Sequence, residues 1–492
     1  MGDISQGADC AGWLDRLTSI VDGIDAWVWW WPLITLLLAT GALYMAWLKF
    51  LPVRFLMHGF KHMFRHEKEA DGEVSNFASL CTALATTIGT GNIVGVATAI
   101  GTGGPGALFW MEIAALLGMA TKYAEGFLAI HYREVTPEGR VIGGPFQYIE
   151  KGMGRRWKPL AIAFSVCGIL AGLLGIGTIV QINGITSAVL RVFDPAFNPS
   201  DPTTGIQLFG TTYSEAAMIA GAIVTAAVAA VIVGGLKRIS TVASIIVPVM
   251  AVFYITVCIV LIIARIDALP GACVDIVRGA FNPAAVGGGA LGTFFIALQR
   301  GVSRGIFSNE AGLGSAPIAS AVAQTHEPVH QGLIAMTGVF LDTTIVCTLT
   351  GLAVVVMGTW KPELNMQGVD ITFAAFSQGL PIGGKIAEIT LTVALVFFAY
   401  TTTLGWTFYS EKCLEYLIGT KRRWPVAAFR CLFIVAVAAG PYLTVSVVWG
   451  IADVCCGLMA FPNLVALLAL SPVVVRETRK YLNGKPDATR NQ

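Results

Sequence analysis

A short polar sequence interrupts one of the most apolar stretches of this chain. Residues 82–106 read TALATTIGTGNIVGVATAIGTGGPG, with Gly89, Thr90, Gly91 and Asn92 near the centre. Glycine weakens a helix interior, and unpaired backbone groups are costly in hydrocarbon. The pattern therefore predicts a broken membrane helix whose freed carbonyls, hydroxyls and amide coordinate a ligand.

The alternative is that these glycines are packing surfaces. Small residues are common where membrane helices touch, and the chain has 55 glycines. Packing is the less favoured explanation for Gly95 and Gly101, and it is weaker still for residues 89–92. It does not supply partners for Asn92 in the middle of a span, so we favour coordination at residues 89–92.

The composition indicates an integral membrane protein. Of its 492 residues, 55% are hydrophobic and 13% are charged, whereas proteins average about 25% charged. The net charge of +2 does not indicate a nucleic-acid partner. Apolar runs long enough to cross a bilayer number about eleven. These runs are 27–48, 75–100, 107–131, 160–190, 215–234, 239–264, 287–307, 332–358, 386–409, 426–442 and 445–470.

Basic residues are concentrated in alternate connecting segments. These segments are 49–68, 133–158, 237–238, 421–423 and 476–480, whereas the segment before the first span is rich in aspartate. Cytoplasmic loops carry the excess of lysine and arginine. The sequence therefore predicts an outer N-terminus and a cytoplasmic C-terminus in a bacterial or archaeal inner membrane.

A second glycine-rich interruption begins the seventh predicted span, in NPAAVGGGALG, and contains Gly287, Gly288, Gly289 and Gly292. If the first span is set aside, the remaining spans form two sets of five. Each set then begins with an interrupted helix, and the two helices run in opposite directions. Matching interruptions in inverted halves indicate a secondary-transporter binding site.

This division predicts four segments. Residues 1–74 are an outer N-terminal segment, the first span and a basic linker. Residues 75–265 and 266–472 are the two five-helix repeats, and residues 473–492 are a cytoplasmic tail.

Several blocks of sequence resemble the alanine or glycine:cation symporters, which are the sodium–alanine symporters. GTGGPGALFWMEIAALLG at 101–118 is similar to the family signature, and other similar blocks lie at 86–100, 118–125, 305–317 and 401–406. The resemblance implies an all-α, five-plus-five inverted-repeat fold like that of the bacterial leucine transporter, with one extra N-terminal span. It also implies a monomer without a cofactor that takes up a small neutral amino acid with Na⁺ as the coupling ion.

An amino acid zwitterion needs a partner for each end. The N–H groups that follow the first break, at residues 90–92, lie at the positive end of a helix dipole and are expected to bind the carboxylate. Thr87, Gly89 and Gly91 belong to the same unit. The carbonyls of residues 287–290 are expected to bind the ammonium group.

The resemblance also implies Na⁺ ligands that are hard oxygen donors, which suit this cation. A first site uses two backbone carbonyls and two hydroxyls, those of Ala85, Ile88, Thr401 and Thr402. A second site uses Asn92 with Thr87 and the bound carboxylate. The number of Na⁺ sites stays open.

Two further side chains each have two explanations. The amide of Gln181 reaches the substrate or makes a hydrogen bond between helices. Trp406 either forms a wall of the pocket for the substrate side chain or only packs against neighbouring helices.

Two positions depart from the family pattern. Glu112 replaces the second tryptophan of FWMW, and Gly289 stands where relatives often carry an aromatic residue. A carboxylate inside the membrane usually has a function. Glu112 could be a proton site that gives H⁺ coupling. The alternatives are that it pairs with a basic residue or that it lies near the lipid headgroups. A more open pocket at Gly289 would admit a larger neutral amino acid.

Other intramembrane charges have less specific interpretations. Lys122 and Glu125 are expected to form a local pair or a gate element near the cytoplasmic end of the third span. Arg300, Arg304 and Glu310 are expected to flank the cytoplasmic end of the seventh span as a gate network.

Two other functional classes, a channel and a membrane enzyme, fit the sequence less well. A channel would repeat one filter motif around an axis, whereas this chain has paired breaks. A membrane enzyme lacks support because the sequence contains neither a nucleophile–base set nor a Walker motif.

Overall fold

The computed structural model describes residues 5–29, 31–65, 70–137, 139–199, 201–208, 211–281, 290–419, 424–442 and 445–484, with side chains except at 5–15, 290–293, 445–449 and 452. Within these residues, nine helices are long and apolar enough to span a membrane, or ten if one bent pair forms a single span. The all-α membrane class is therefore confirmed. The seventh predicted span falls partly outside the described residues.

The described residues of the first half of the chain form twelve α-helices. They are α1 (Ser5–Val28), α2 (Trp31–Trp47), α3 (Leu51–Arg54), α4 (Leu56–Met63), α5 (Asn76–Thr87), α6 (Val96–Gly103), α7 (Gly106–His131), α8 (Pro145–Gly152), α9 (Lys158–Leu174), α10 (Ile179–Phe193), α11 (Glu215–Ile232) and α12 (Gly235–Ala264). Two antiparallel hairpins lie in loops, β1 (Glu134–Val135) with β2 (Val141–Ile142), and β3 (Ile206–Leu208) with β4 (Thr211–Tyr213).

The second half contains nine helices in the described residues. They are α13 (Leu269–Phe281), α14 (Ala290–Asn309), α15 (Ala316–Ala321), α16 (Pro328–Val339), α17 (Thr348–Met357), α18 (Val369–Gly379), α19 (Gly384–Ile418), α20 (Trp424–Ala439) and α21 (Val445–Leu482). A π-helical turn, Phe340–Cys347, joins α16 to α17. Because α21 runs to Leu482, it continues past residue 472, where the last predicted repeat ends.

The predicted break in the second span is confirmed. Helix α5 ends at Thr87, Ile88 is extended, and the chain resumes as a π-helical turn, Gly91–Gly95, before α6. The axes on either side of the break differ by 51°.

A second break lies at the other end of the seventh predicted span, after α14. Helix α14 ends at Asn309 and α15 starts at Ala316. Between them Glu310, Gly312 and Gly314 have φ values of +55°, +88° and +83°, which a helix does not accommodate. Gly292, one of the residues assigned to the predicted break, lies inside α14, whereas Gly287, Gly288 and Gly289 lie outside the described residues.

Gly95 and Gly101, for which close helix packing is the alternative explanation, have different surroundings. A Cβ atom added at Gly101 would be 2.6 Å from Cδ1 of Ile371, so α6 packs closely on α18 there. A Cβ atom at Gly95 would have no other described heavy atom within 4 Å. Packing therefore explains Gly101 and does not explain Gly95.

Candidate functional site

The break in the second span releases the carbonyl of Ala85. In a continuous helix the N–H of Gly89 would bond to this carbonyl, four residues earlier. Instead the Gly89 N–H donates to Oδ1 of Asn92 at 2.9 Å. The Ala85 carbonyl is a predicted Na⁺ ligand, and it is released from the helix hydrogen-bond ladder at this position.

Gln181 accepts the N–H of the next residue of the break, Thr90. The Thr90 N–H, which would have bonded to Thr86, donates to Oε1 of Gln181 at 3.5 Å. The amide nitrogen of Gln181 donates to the carbonyl of Ile176 at 3.0 Å, so the side-chain oxygen is oriented toward the break. Gln181 therefore makes the hydrogen bond between helices and also lies at the predicted site.

The two neighbouring threonines of α19 have different surroundings. Thr402 Oγ1 lies 3.5 Å from the carbonyl oxygen of Ile88, and it also donates to the carbonyl of Phe398 at 2.9 Å. The Thr401 hydroxyl bonds to carbonyls of its own helix and lies 3.5 Å from Sδ of Met250 in α12. The structure therefore brings Thr402, but not the Thr401 hydroxyl, into contact with the break.

A buried carboxylate joins the first break to two other helices. Asn92 donates from Nδ2 to Oδ1 of Asp342 at 2.8 Å, and Asp342 is fully buried. Its Oδ2 accepts from the hydroxyls of Ser308 at 2.9 Å and Thr343 at 2.8 Å. A Cβ atom at Gly91 would be 3.6 Å from Cα of Ser308, so the first break lies against the end of α14.

Thr87 is separate from this group. Its hydroxyl lies 3.4 Å from the carbonyl oxygen of Leu84 in the same helix. The residue lines a small cavity that Lys122 and Gln331 also line. The structure therefore does not place the Thr87 hydroxyl beside Asn92, as the predicted second Na⁺ site requires.

Glu310 occupies the second break and is completely buried. Its Oε1 accepts from the indole N–H of Trp406 at 3.1 Å. Its Oε2 accepts from the hydroxyls of Ser315 and, at 3.4 Å, Thr86. Trp406 therefore links α19 to the second break, and Thr86 links the second break to the first.

Glu125 of α7 holds the glycines of the second break. Its Oε1 accepts from the N–H groups of Gly312 at 3.1 Å and Gly314 at 3.2 Å. The same oxygen accepts from the amide of Asn463 at 2.6 Å. These are backbone donors released from a helix, so the carboxylate satisfies groups that would otherwise be unpaired in the membrane.

Lys122 places a cation among these carboxylates. It is buried, and its Nζ donates to the carbonyl of Asn309, the last residue of α14, at 2.7 Å. With Glu125, Glu310 and Asp342 it forms a buried set with a formal charge of −2, from three carboxylates and one ammonium group. A net negative charge in a low-dielectric region attracts a cation.

The sequence alone predicts Lys122, Glu125 and Glu310 as gate elements rather than as parts of the site. The signal for the second break lies in SNEAGLGS at 308–315, because glycine readily adopts positive φ. The predicted break used the glycine triplet at 287–289, which lies outside the described residues.

Glu112 is half-buried and does not contact either break. Its Oε1 accepts from the hydroxyl of Thr348 at 2.7 Å, and Thr348 is the first residue of α17. Glu112 therefore has a neutral partner on a neighbouring helix in this structure.

Arg133, which follows α7, binds backbone carbonyls of two separate chain segments. Its guanidinium donates at 2.7–2.9 Å to the carbonyls of Ala321, Ala323, Thr325 and Asp71. Residues 71–74 precede α5, Ala321 is the last residue of α15, and residues 322–325 follow α15. We call this group of contacts the Arg133 latch.

A separate group of charges lies beside α1. Arg304 lies 3.8 Å from Asp453 of α21, and both residues share a cavity with Arg300 and with Asp25 of α1. Arg300 and Arg304 were expected at the cytoplasmic end with Glu310. Arg300 and Arg304 line a cavity with Asp25 of α1, whereas Glu310 lies in the second break after α14.

Comparisons with known proteins agree with this architecture. The model of the sodium:alanine symporter family matches residues 14–492. An uncharacterized transporter of Haemophilus influenzae is 48% identical over 94% of this chain and 96% of its own length. The sodium/alanine symporter AgcS of Methanococcus maripaludis is 43% identical over 96% and 99%.

A solved structure shares the fold at low sequence identity. The crystal structure of MhsT in complex with L-phenylalanine has a TM-score of 0.54, at 13% identity, over 82% of this chain and 98% of that chain. The match over nearly the whole length, both to the family model and to two relatives above 40% identity, leads to one conclusion: this chain is a multi-pass membrane protein that belongs to the sodium:alanine symporter family.

Proposed function

We propose that this protein is a secondary active transporter that couples Na⁺ entry to the uptake of a small neutral amino acid by alternating access. One observation carries the proposal. Two broken helices meet where freed carbonyls, the Thr402 hydroxyl and the carboxylates of Glu310 and Asp342 converge. Oxygen donors in a negatively charged, buried region suit a hard cation.

The proposed topology has about eleven spans, with one extra span before two inverted sets of five. The N-terminus is outside, the α1 end is the outer end, and the Arg133 latch is cytoplasmic. The excess of lysine and arginine in alternate loops supports this orientation. In this arrangement the latch closes the cytoplasmic end.

The residues of the first break have distinct proposed roles. The carbonyls of Ala85 and Ile88 and the hydroxyl of Thr402 bind Na⁺. The N–H groups of residues 89–91 and the amide of Asn92 bind the substrate carboxylate, which displaces the side chains that now accept from these groups. Trp406 forms a wall beside the substrate. Each of these groups is within or beside the break.

The proposed substrate is of the alanine and glycine class. The relative AgcS is named a sodium/alanine symporter, at 43% identity. One methylene group in a pocket changes binding by only about 1–3 kcal/mol. A larger neutral amino acid is therefore the alternative substrate that a transport assay must include.

The driving force is sufficient for strong accumulation. Each Na⁺ that enters down 100 mV contributes about 2.3 kcal/mol, and a tenfold Na⁺ gradient adds about 1.4 kcal/mol. Together these values sustain accumulation of about several hundredfold. One Na⁺ per substrate is thus enough for uptake against a gradient.

Counterflow in proteoliposomes tests the proposed function. Vesicles loaded with unlabelled L-alanine should take up labelled L-alanine in exchange, with saturation and only when Na⁺ is present. A channel would show neither exchange nor saturation. Uptake of every neutral amino acid tested that does not change when choline replaces Na⁺ would overturn the proposal.

Thr402→Ala is expected to raise the half-saturating Na⁺ concentration by about tenfold or more. An interaction with a charged group is worth about 1.5–3 kcal/mol, and the Thr402 hydroxyl lies 3.5 Å from the carbonyl oxygen of Ile88. Initial rates of uptake at a series of Na⁺ concentrations measure this effect.

Two matched variants control this experiment. Thr402→Ser retains the hydroxyl and should keep the normal Na⁺ requirement. Thr401→Ala should shift it by less than threefold, because the Thr401 hydroxyl bonds within its own helix. If Thr401→Ala and Thr402→Ala raised the half-saturating Na⁺ concentration equally, the assignment of Thr402 rather than Thr401 as the Na⁺ ligand would be wrong.

Glu112→Gln is expected to leave Na⁺-driven uptake within about threefold of the wild type. Glutamine retains an oxygen that accepts the hydroxyl hydrogen of Thr348, so the main loss is the charge. Uptake should be measured across a range of pH with and without Na⁺. If the variant loses a pH dependence that the wild type has, H⁺ coupling through Glu112 replaces this expectation.

A further inference from the structure

A short helical segment between α2 and α5 lies outside the two breaks. Helix α2 ends at Trp47, and Lys49 and Phe50 have φ values of +53° and +58°. A left-handed backbone does not continue a right-handed helix, so the chain turns away from the axis of α2 here. It then forms α3 and α4, which Phe55 alone separates. We call residues 49–65 the α3–α4 segment.

The two short helices share one helical phase. The Phe55 N–H donates to the carbonyl of Leu51 at 2.9 Å, and the Gly59 N–H donates to the carbonyl of Phe55 at 3.1 Å. Both bonds have the four-residue spacing of an α-helix. The side chains of the segment can therefore be assigned to faces at about 100° per residue.

One face of the segment packs on the bundle. A Cβ atom at Gly59 would be 2.3 Å from the carbonyl oxygen of Leu333 and 2.6 Å from Cγ2 of Thr337, both in α16. The rings of Phe60 and Phe340 have centroids 6.2 Å apart. This close contact fixes the rotation of α4 against α16, so its other faces also have fixed directions.

A second face exposes apolar side chains. Between 55% and 68% of the surface is exposed at each of four residues, Phe50, Val53, Met57 and Phe64. On a helical phase these four lie within about 60° of one another. They form an apolar stripe that the rest of the described chain does not cover.

A third face is basic. Arg54, Lys61 and Arg65 are exposed, and on the same phase they lie within about 40° of one another, about 80° from the apolar stripe. With Lys49 they give the segment a formal charge of +4, since residues 49–65 contain no aspartate or glutamate. None of these four side chains forms a salt bridge with another described residue.

The arrangement of these faces indicates what the segment binds. A helix with an apolar stripe beside a basic stripe suits the interface of a bilayer that contains anionic lipids. Helix α2 is part of a candidate membrane span that ends at Trp47, so the segment begins where that span leaves the membrane. Anionic headgroups lie at this level, and basic side chains next to a span attract them.

We propose that the α3–α4 segment is a binding surface for anionic phospholipid. The apolar stripe enters the boundary between headgroups and acyl chains, and Arg54, Lys61 and Arg65 bind the headgroup phosphates. This surface contacts lipid rather than the transported solute or its coupling ion, so it goes beyond the proposed function.

Thiol labelling tests whether the apolar stripe enters the membrane. Met57→Cys and His58→Cys are compared in the full-length protein, in nanodiscs of phosphatidylglycerol and phosphatidylcholine, with a membrane-impermeant maleimide. Both positions are exposed in the protein alone. Once wild-type labelling is subtracted, Met57→Cys should react about tenfold more slowly, because only residue 57 lies on the face that enters the bilayer. Equal rates would overturn the proposal.

Lipid selectivity tests the basic stripe. Native mass spectrometry counts the lipids that the full-length protein retains from micelles with equal amounts of phosphatidylglycerol and phosphatidylcholine. The wild type should prefer phosphatidylglycerol. The double variant Lys61→Gln with Arg65→Gln should lower this preference about tenfold or more, because each basic residue near an anionic surface contributes to binding.

The matched control is the double variant Arg155→Gln with Arg156→Gln. It removes the same charge from another exposed basic part of the chain, a single helical turn outside the α3–α4 segment. It should keep the wild-type preference within about twofold, as expected of surface changes away from the site. An equal loss in both double variants, or a wild type without any preference, would overturn the proposal.

Discussion

Gly89→Ala is expected to lower Na⁺-dependent uptake by about tenfold to a hundredfold. The added Cβ atom would be 2.5 Å from Oγ1 of Thr402, so the Thr402 hydroxyl must move away from the Ile88 carbonyl. Inserting a methyl group into a packed site costs about 1–3 kcal/mol, which corresponds to that range of rates. Initial rates of uptake of L-alanine into proteoliposomes measure the effect.

Gly95→Ala is a matched control from the same span. A Cβ atom at Gly95 would have no other described heavy atom within 4 Å, and the backbone there is helical with φ of −63°. This variant should transport at the wild-type rate. If Gly89→Ala and Gly95→Ala lowered uptake equally, any side chain at a glycine of this span would be harmful. The contact between residue 89 and the Thr402 hydroxyl would then not explain the loss.

Glu125→Ala is expected to destabilise the protein and abolish transport. The substitution leaves the N–H groups of Gly312 and Gly314 and the amide of Asn463 without their shared acceptor. Removing one partner from a buried charged network costs about 3–5 kcal/mol. At about 2 °C per kcal/mol, the apparent melting temperature in detergent should fall by about 6–10 °C.

Two variants separate the hydrogen bonds of Glu125 from its charge. Glu125→Gln retains an acceptor oxygen and should recover part of the lost stability. Glu134→Gln changes a half-exposed carboxylate in the β1–β2 hairpin and should leave the melting temperature within about 1 °C, as surface substitutions do. A melting temperature for Glu125→Ala that equals the wild-type value would contradict the role assigned to Glu125.

The break in the second span was predictable because its cause is local. Glycines and an asparagine inside an apolar run conflict with a continuous helix, whatever surrounds them. The partner that completes this break is equally local, because Asn92 accepts from Gly89, three residues away. A single stretch of sequence therefore contained both the interruption and part of its compensation.

The break at residues 310–315 was not predicted, because the side chains that compensate it are not local. Glu125, which accepts from the glycines of this break, lies 187 residues from Gly312 in the sequence. Asn463 approaches from α21, 151 residues from Gly312 in the sequence. The sequence alone does not bring these side chains together, so a run of three glycines was the stronger local signal.

The two threonines of α19 show a finer limit. Successive residues of an α-helix point about 100° apart, so Thr401 and Thr402 face different neighbours. The sequence identified the pair by resemblance, but only the rotation of α19 against α5 distinguishes them. Helix rotation depends on packing against every neighbouring helix.

The Arg133 latch has a consequence for the rate of transport. One of its four acceptor carbonyls precedes α5, and the other three belong to the last residue of α15 and to the segment after it, so one guanidinium binds chain segments next to both broken helices. These two segments can separate only if the guanidinium gives up its hydrogen bonds to one of them. In the proposed transport cycle we expect this loss to add to the barrier for opening at this end, and opening steps of this kind often limit turnover.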